Sequence, residues 1–265
     1  MHLDRLEVNT MGVSLEKVQQ QAPHLVSLVK ETSVILEKKG LNPESYKAAV
    51  VGTLDFSGSA SGLYQNGTMQ RAADLGFAAG LVFDDDGSVP FSLFDSGVTD
   101  IGEITLGNCQ GFVDKAIRGR RMGSTDYVSA LKWIVDTAGF GKVNLGSGGG
   151  GFFRKGSSLE VKAKAQYPTY ALFVTDGEPN GGTEGQIRQY LTQMSQLPIF
   201  VQFVGVGPHQ FQFLRQLDEL DGRLIDNAGF FDAKEVGNDQ SKMLEAMLSE
   251  FPQYYADARR QGLVG

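Results

Sequence analysis

Two apolar runs constrain this chain more than anything else in it. Ala48-Ala49-Val50-Val51-Gly52-Thr53-Leu54 is followed at once by Asp55, and Tyr170-Ala171-Leu172-Phe173-Val174-Thr175 by Asp176. A short unbroken apolar run of this kind reads as a strand covered on both faces, as in a parallel sheet. A carboxylate at the C-terminal end of such a strand stands on the rim where open α/β folds bind ligands. Behind Asp55 come Phe56-Ser57-Gly58-Ser59, so the rim gains two hydroxyls beside the first carboxylate.

Around these runs, strand and helix patterns alternate. Helical spacing of apolar residues predicts helices over 67–82, 127–137, 185–195 and 239–251, with another opened by Pro208 and a short one over 108–118. In the helix over 67–82, Ala72, Ala73, Gly76 and Gly80 are small enough to let it lie close to a sheet. Further strands are predicted over 89–94, 101–106, 199–206 and 224–230. The turn Asp95-Ser96-Gly97 is short enough for a hairpin, so one edge strand is expected to be antiparallel. The fold class that follows is α/β: a doubly wound, mostly parallel central sheet with one antiparallel edge strand and helices on both faces.

Three regions are expected along the chain. Residues 1–44 form a helical N-terminal extension, with Ser14 as helix cap and Pro23 as a break before a second helix. Residues 45–252 form the α/β domain. Residues 253–265 form a polar, frayed C-terminal tail. Within the domain, 139–166 is rich in Gly and Ser and reads as a mobile insertion. Its run Gly146-Ser147-Gly148-Gly149-Gly150-Gly151 lacks the Gly-Lys-Ser/Thr ending of a phosphate loop. The turn Phe83-Asp84-Asp85-Asp86-Gly87 lacks the spacing of a calcium loop and reads as solvated. Arg118-Gly119-Arg120-Arg121 also reads as a solvated turn, with a positive rim beside the site as the alternative.

Composition narrows the function. The 265 residues carry a net charge of -7, and nonspecific nucleic-acid or anionic-membrane binding favours a basic face, so no nucleic acid is expected as partner. No apolar run approaches the ~20 residues of a membrane span. The N-terminus, Met1-His2-Leu3-Asp4-Arg5, has neither the basic start nor the apolar core of a signal peptide, and a cytoplasmic location is expected. Cys109 is the only cysteine, which excludes an intrachain disulfide and a CxxC zinc site.

The chemistry gathers in three oxygen-bearing segments: Asp55, Ser57 and Ser59; then Thr125 in Gly123-Ser124-Thr125-Asp126; then Asp176 in Thr175-Asp176-Gly177. Two follow strand ends and one opens a helix, which puts all three on one rim. An all-oxygen set without His or Cys suits a hard divalent cation, Mg2+ first and Mn2+ or Ca2+ next. Each fragment alone is as well explained as a helix cap.

In this order the fragments resemble the metal-ion-dependent adhesion site of a von Willebrand factor A (VWA) domain. The chain is most similar to the VWA domain of TerF-type tellurium-resistance proteins, a relative of the copine A domain. That likeness rests also on Phe83-Asp84-Asp85-Asp86-Gly87, on Asp100-Ile101-Gly102-Glu103-Ile104-Thr105-Leu106 with Gly111-Phe112-Val113, and on the helical lead-in Leu15-Glu16-Lys17-Val18. Ala60 departs from it, standing where methionine is common. The resemblance implies that Ser57, Ser59 and Thr125 bind the metal directly, and Asp55 and Asp176 mostly through water. It implies a non-enzymatic adaptor, with a role in a stress-response or phage-related system, whose protein partner donates an Asp or Glu carboxylate to the metal.

An enzyme is the alternative. A Mg2+-dependent hydrolase or phosphotransferase would use Asp55 as nucleophile or metal ligand. The haloacid dehalogenase pattern, however, needs a second Asp where Ser57 stands, which removes the general acid. His2, His24 and His209 lie in no nucleophile elbow.

Overall fold

The run at 48–54 becomes an inner strand, β1 (Ala49–Asp55), paired in parallel with β2 (Ser88–Phe94) on one side and β6 (Thr169–Thr175) on the other. The structure is a computed structural model, and it describes residues 13–40, 46–84, 86–144, 158–161, 165–237 and 239–265. Six strands form the main sheet in the order β3-β2-β1-β6-β7-β8, where β3 is Val98–Thr105, β7 Ile199–Gly205 and β8 Ala228–Asp232. Within this sheet only the β2–β3 pairing is antiparallel, and β3 is the edge expected from the Asp95-Ser96-Gly97 turn. The fold is thus a mostly parallel α/β sheet with helices on both faces.

Alternate residues of the inner strands supply two cores. Val50, Leu54, Leu172, Val174, Phe200 and Val204 face one side. There they pack with helices α1 (Leu15–Gln21), α2 (Val26–Lys38), α4 (Thr68–Phe83), α10 (Gln240–Met247) and α11 (Phe251–Arg260). Val51, Ala171, Phe173, Val201 and Phe203 face the other side, under α6 (Tyr127–Ala138), α7 (Glu184–Met194) and α8 (Gln212–Asp218). Short helices α3 (Ser61–Gln65), α5 (Phe112–Ala116) and α9 (Ala233–Val236) fill the connections. The small residues of α4 have the expected use. A Cβ on Gly80 would stand 2.3 Å from Val89 and one on Gly76 2.8 Å from Leu172, so the helix rests on the strands at a distance only glycine permits.

The N-terminal helices are capped and broken as expected. Ser14 Oγ accepts the Lys17 N–H, and Pro23 opens a turn of 3-10 helix before α2. Their buried residues Val18, Leu25, Leu28, Val29, Ile35 and Leu36 join the same core as β1 and α4.

Several local expectations are corrected. The helix assigned to Pro208 begins at Gln212, because the segment from Gly207 makes an irregular turn in which Phe211 takes φ 50°. The strand expected over 224–230 is Ala228–Asp232, preceded by a loop. The tail expected to fray after Gln253 is helix α11, with Phe251, Tyr254, Tyr255 and Ala258 buried. Its pattern is amphipathic, and counting only its polar residues hid that. In the Gly-rich insertion, β4 (Gly141–Asn144) and β5 (Ser158–Val161) pair as an antiparallel ribbon. The glycine run and Phe152-Phe153 lie outside the described residues, as does Asp85 of the acidic turn. Among the described residues no helix is long and apolar enough to cross a membrane.

Candidate metal centre

The sheet order reverses between β1 and β6: the chain leaves β1 through α4 on one face and leaves β6 through α7 on the other. Loops diverging at such a point leave a crevice at the carboxyl ends of the strands. Asp55 ends β1 and Asp176 follows β6, so the crevice is walled by the two aspartates.

Four of the five expected residues meet there. Ser57 Oγ and Ser59 Oγ are 3.0 Å apart. Both hydroxyls donate to Asp176 Oδ1, at 3.4 and 3.1 Å. Asp55 is bound from two sides: Oδ1 accepts the Ser57 N–H at 2.8 Å, and Oδ2 accepts the Thr175 hydroxyl at 2.7 Å. The first of these folds residues 55–57 into an Asx turn, which directs the Ser57 side chain back toward the rim.

Thr125 comes to the same rim through its backbone. Gly123 and Ser57 form a parallel bridge, with Gly58 N–H donating to Gly123 O at 3.1 Å and Gly123 N–H to Phe56 O at 3.3 Å. Among the described residues the Thr125 hydroxyl makes no hydrogen bond to the other four side chains. Its main chain is clasped by Asn180, whose Oδ1 accepts the Thr125 N–H at 3.1 Å while its N–H donates to Thr125 O at 3.0 Å. Asp126 caps α6 by accepting the Ser129 N–H.

Burial sets the electrostatics. Asp55 is fully buried, and desolvation pushes its carboxyl up to about 6. The hydrogen bonds from Thr175 and Ser57 oppose this shift, and the neighbouring Asp176 charge adds to it. A carboxyl held this far from water, next to a second one, is a group that a cation would return to its charged form. Below the pair, Tyr64 donates to Asp55 O at 2.8 Å, and the Tyr127 hydroxyl stands 3.0 Å from Thr175 Oγ1 and 2.6 Å from Gly177 O. Burial, foremost, raises both phenols, which keeps them protonated donors. Glu178 is exposed, and its Oε1 accepts the Phe213 N–H in the first turn of α8.

The donors fit a small hard cation because all are oxygen and three are neutral hydroxyls. Among the described residues no three His, Cys, Asp or Glu side chains are grouped so as to hold a metal ion. Any ion here therefore depends on the serines and the threonine. Thr175, Tyr64, Tyr127 and Asn180 were not foreseen as supports. Thr175 could have been, since its hydroxyl ends an apolar run and immediately precedes Asp176. The tyrosines give no sequence signal, because their partners are backbone carbonyls and a distant hydroxyl.

Comparison with known proteins agrees with this architecture. An uncharacterized Bacillus subtilis protein, YcbR, is 29% identical over 240 residues, covering 89% of this chain and 88% of that one. Two solved structures that match are more distant. The ArnB paralog VWA2 from Sulfolobus acidocaldarius has 13% identity and TM-score 0.38, over 77% of this chain and 44% of that one. The SpRpn10 VWA domain has 9% identity and TM-score 0.44, over 75% and 93%. This chain thus spans less than half the length of the Sulfolobus protein. The family described as the vWA found in the TerF C terminus matches residues 47–144 and 157–264, which is most of the chain, and the protein belongs to that vWA-TerF-like family.

Proposed function

We propose that this protein is a divalent-cation-dependent protein-binding module, in which Asp55, Ser57, Ser59, Thr125 and Asp176 hold the ion and a partner's Asp or Glu carboxylate completes its shell. The observation that carries this reading is the convergence of both serine hydroxyls on Asp176 Oδ1 beside the buried Asp55. Hydroxyls neutralise a cation poorly, so an ion held this way keeps a strong affinity for one further anionic oxygen. Mg2+ is the ion the hard donors and small spacing favour, with Mn2+ and Ca2+ as substitutes. The partner thus meets the metal directly, and the ion is a joint in a protein complex.

The same residues speak against the hydrolase alternative. Asp55 is bound on both carboxylate oxygens, by Ser57 N–H and by Thr175, which leaves it turned inward and unsuited to attack a substrate. The adaptor role belongs in a cytoplasmic, stress-response-like assembly of the kind the TerF family name suggests.

The deciding experiment is affinity capture from cell extract with Mg2+ or with EDTA, using wild type and Thr125→Ala. Partners retained only by wild type with Mg2+ are the expected result. Equal capture in all four arms, or Mg2+-dependent phosphatase turnover that Asp55→Asn abolishes, would refute the reading.

A further inference from the structure

The turn that leads into Thr125 carries three arginines that the metal centre itself does not use. Arg118, Arg120 and Arg121 are all exposed. Arg120 Nε donates to the Ala116 carbonyl at the end of α5. Among the described residues none of the three guanidiniums has a carboxylate within ion-pairing distance. What sets these three arginines apart is that they are exposed and clustered within four residues of sequence in an acidic chain.

Their position gives the cluster a role. Gly119, with φ 71°, turns the chain, and residues 120–122 run on outside any helix to Gly123, which is bonded to Phe56 and Gly58. Gly123, Ser124, Gly58 and Ser59 are exposed. The chain that carries the arginines thus leads to the backbone beside the two serines, where Gly58 and Ser59 are exposed and Ser57 is buried. Along the chain Arg121 is at most about 7 Å from Gly123. The charged neighbours of the turn are Asp114 and Lys115 on α5 and Asp95 on the β2–β3 turn. Asp95 Oδ1 is engaged by the Gly97 N–H.

Charge balance points the same way. The hydroxyls leave the ion's charge poorly neutralised at contact range, but counted over the whole site Asp55 and Asp176 balance a divalent ion, so a partner's carboxylate bound to it leaves the site as a whole negative. Nearby cations offset that excess and draw in acidic chains. We propose that the segment captured at the metal is multiply acidic, with one carboxylate on the ion and further Asp or Glu side chains lying along Arg118, Arg120 and Arg121. This rests on the metal-capture reading above and adds the character of the partner to it.

The test uses the whole protein, Mg2+, and two labelled probes: hexaglutamate, and a Gly/Ser peptide of equal length with a single Glu. Affinities are read by fluorescence anisotropy at low salt. For wild type, hexaglutamate binds the more tightly. Arg118→Gln/Arg120→Gln/Arg121→Gln together lower hexaglutamate affinity about tenfold, as three exposed charge pairs would, and leave the single-Glu probe within twofold. The charge-matched variant Lys30→Gln/Lys38→Gln/Lys39→Gln, on exposed positions of α2 and its end, changes neither probe by more than twofold. Mg2+ calorimetry confirms that the arginine variant keeps the ion.

The two readings fail separately. If the arginine variant binds hexaglutamate like the lysine control while EDTA abolishes binding, the arginine proposal is wrong and metal capture stands. If EDTA and Thr125→Ala leave wild-type binding unchanged, metal capture fails and the proposal with it. A single-stranded oligonucleotide binding more tightly than hexaglutamate would also overturn it, assigning the arginine turn to nucleic acid. So would the absence of any binding of either peptide to the Mg2+-loaded protein.

Discussion

Carboxylates crowd at two ends of this sheet, and they resolve the crowding in opposite ways. On the upper rim Asp55 and Asp176 are brought together with the hydroxyls of Ser57 and Ser59. At the lower edge Asp218, Asp226, Glu250 and Asp257 line a cavity of about 840 Å3 with Arg223 and Arg260. Burial raises acids at both places: Asp55 and Asp218 to about 6, Glu250 to about 7. What differs is the company. Below, Arg223 is almost wholly buried, pairs with Asp226 at 2.7 Å and donates to the Leu220 and Asp218 carbonyls. Burial, foremost, and neighbouring carboxylates raise both Asp218 and Glu250, so each gives up its charge more readily than an exposed carboxylate would. Above, among the described residues, no arginine or lysine forms an ion pair with either aspartate, and neutral hydroxyls converge on one oxygen. A buried acid cluster with its own cation is a piece of structure. One furnished only with hydroxyls still needs a cation from outside.

The largest effect expected from this contrast is at Asp55. Asp55→Asn should lower Mg2+ affinity more than a hundredfold by calorimetry, since about half the fixed negative charge of the centre is lost. In metal-free protein the same change should leave the melting temperature equal or higher, because it removes a carboxylate whose charge is penalised by burial and by Asp176. A metal-free variant that melts well below wild type would erase the contrast, making Asp55 a structural acid like those at the lower edge. Thr125→Ala should lose Mg2+ with no change in metal-free stability.

A smaller effect is expected one step out. Asn180 binds the Thr125 main chain in both directions and also reaches Ser124 Oγ at 3.3 Å. Asn180→Ala should cost about tenfold in Mg2+ affinity, the usual penalty for loosening a ligand's support. Asn180→Asp should recover most of that loss, because its carboxylate still accepts the Thr125 N–H and can accept the Ser124 hydroxyl as well. Equal affinities of wild type and Asn180→Ala would show that the bridge between Gly123 and Ser57 suffices to place the threonine.

These residues also mark how far the sequence could be read. Residues close in sequence to a strand end were legible: Asp55, Ser57, Ser59 and Asp176 follow from apolar runs that stop abruptly, and the switch point puts them together. Thr125 was placed on the rim only as the start of a helix, and the bond that fixes it comes from Asn180, 55 residues away. Such a clasp has no periodicity to betray it. The same holds for Tyr64 and Tyr127: nothing in the sequence announces that their hydroxyls end beneath Asp55. The acidic lower edge was not legible either. Its members lie on α8, the loop before β8 and α11, and α11 itself was expected to fray.

That lower edge gives the smallest effect and the sharpest control. Glu250 packs over the backbone of β8, where a Cβ on Gly229 would meet its carboxyl at 3.0 Å. Its acid is raised from 4.5 to about 7, first by burial and then by the charges of Asp218 and Asp226. A carboxyl whose folded value lies above its unfolded one favours the folded state when protonated. Its contribution is complete below about pH 4.5 and is lost as pH rises through about 7. In the Asp55→Asn background, which removes the acid above from the titration, the melting temperature should therefore fall by a few degrees between pH 5 and pH 8. Adding Glu250→Gln should flatten most of that slope, with Asp218 supplying the remainder at lower pH. Mg2+ should leave the slope unchanged, since a cluster that already holds Arg223 has little to offer a divalent ion. A slope that Mg2+ reverses would mean that the lower edge binds cations as well, and that the hydroxyls above are not what separates the two ends.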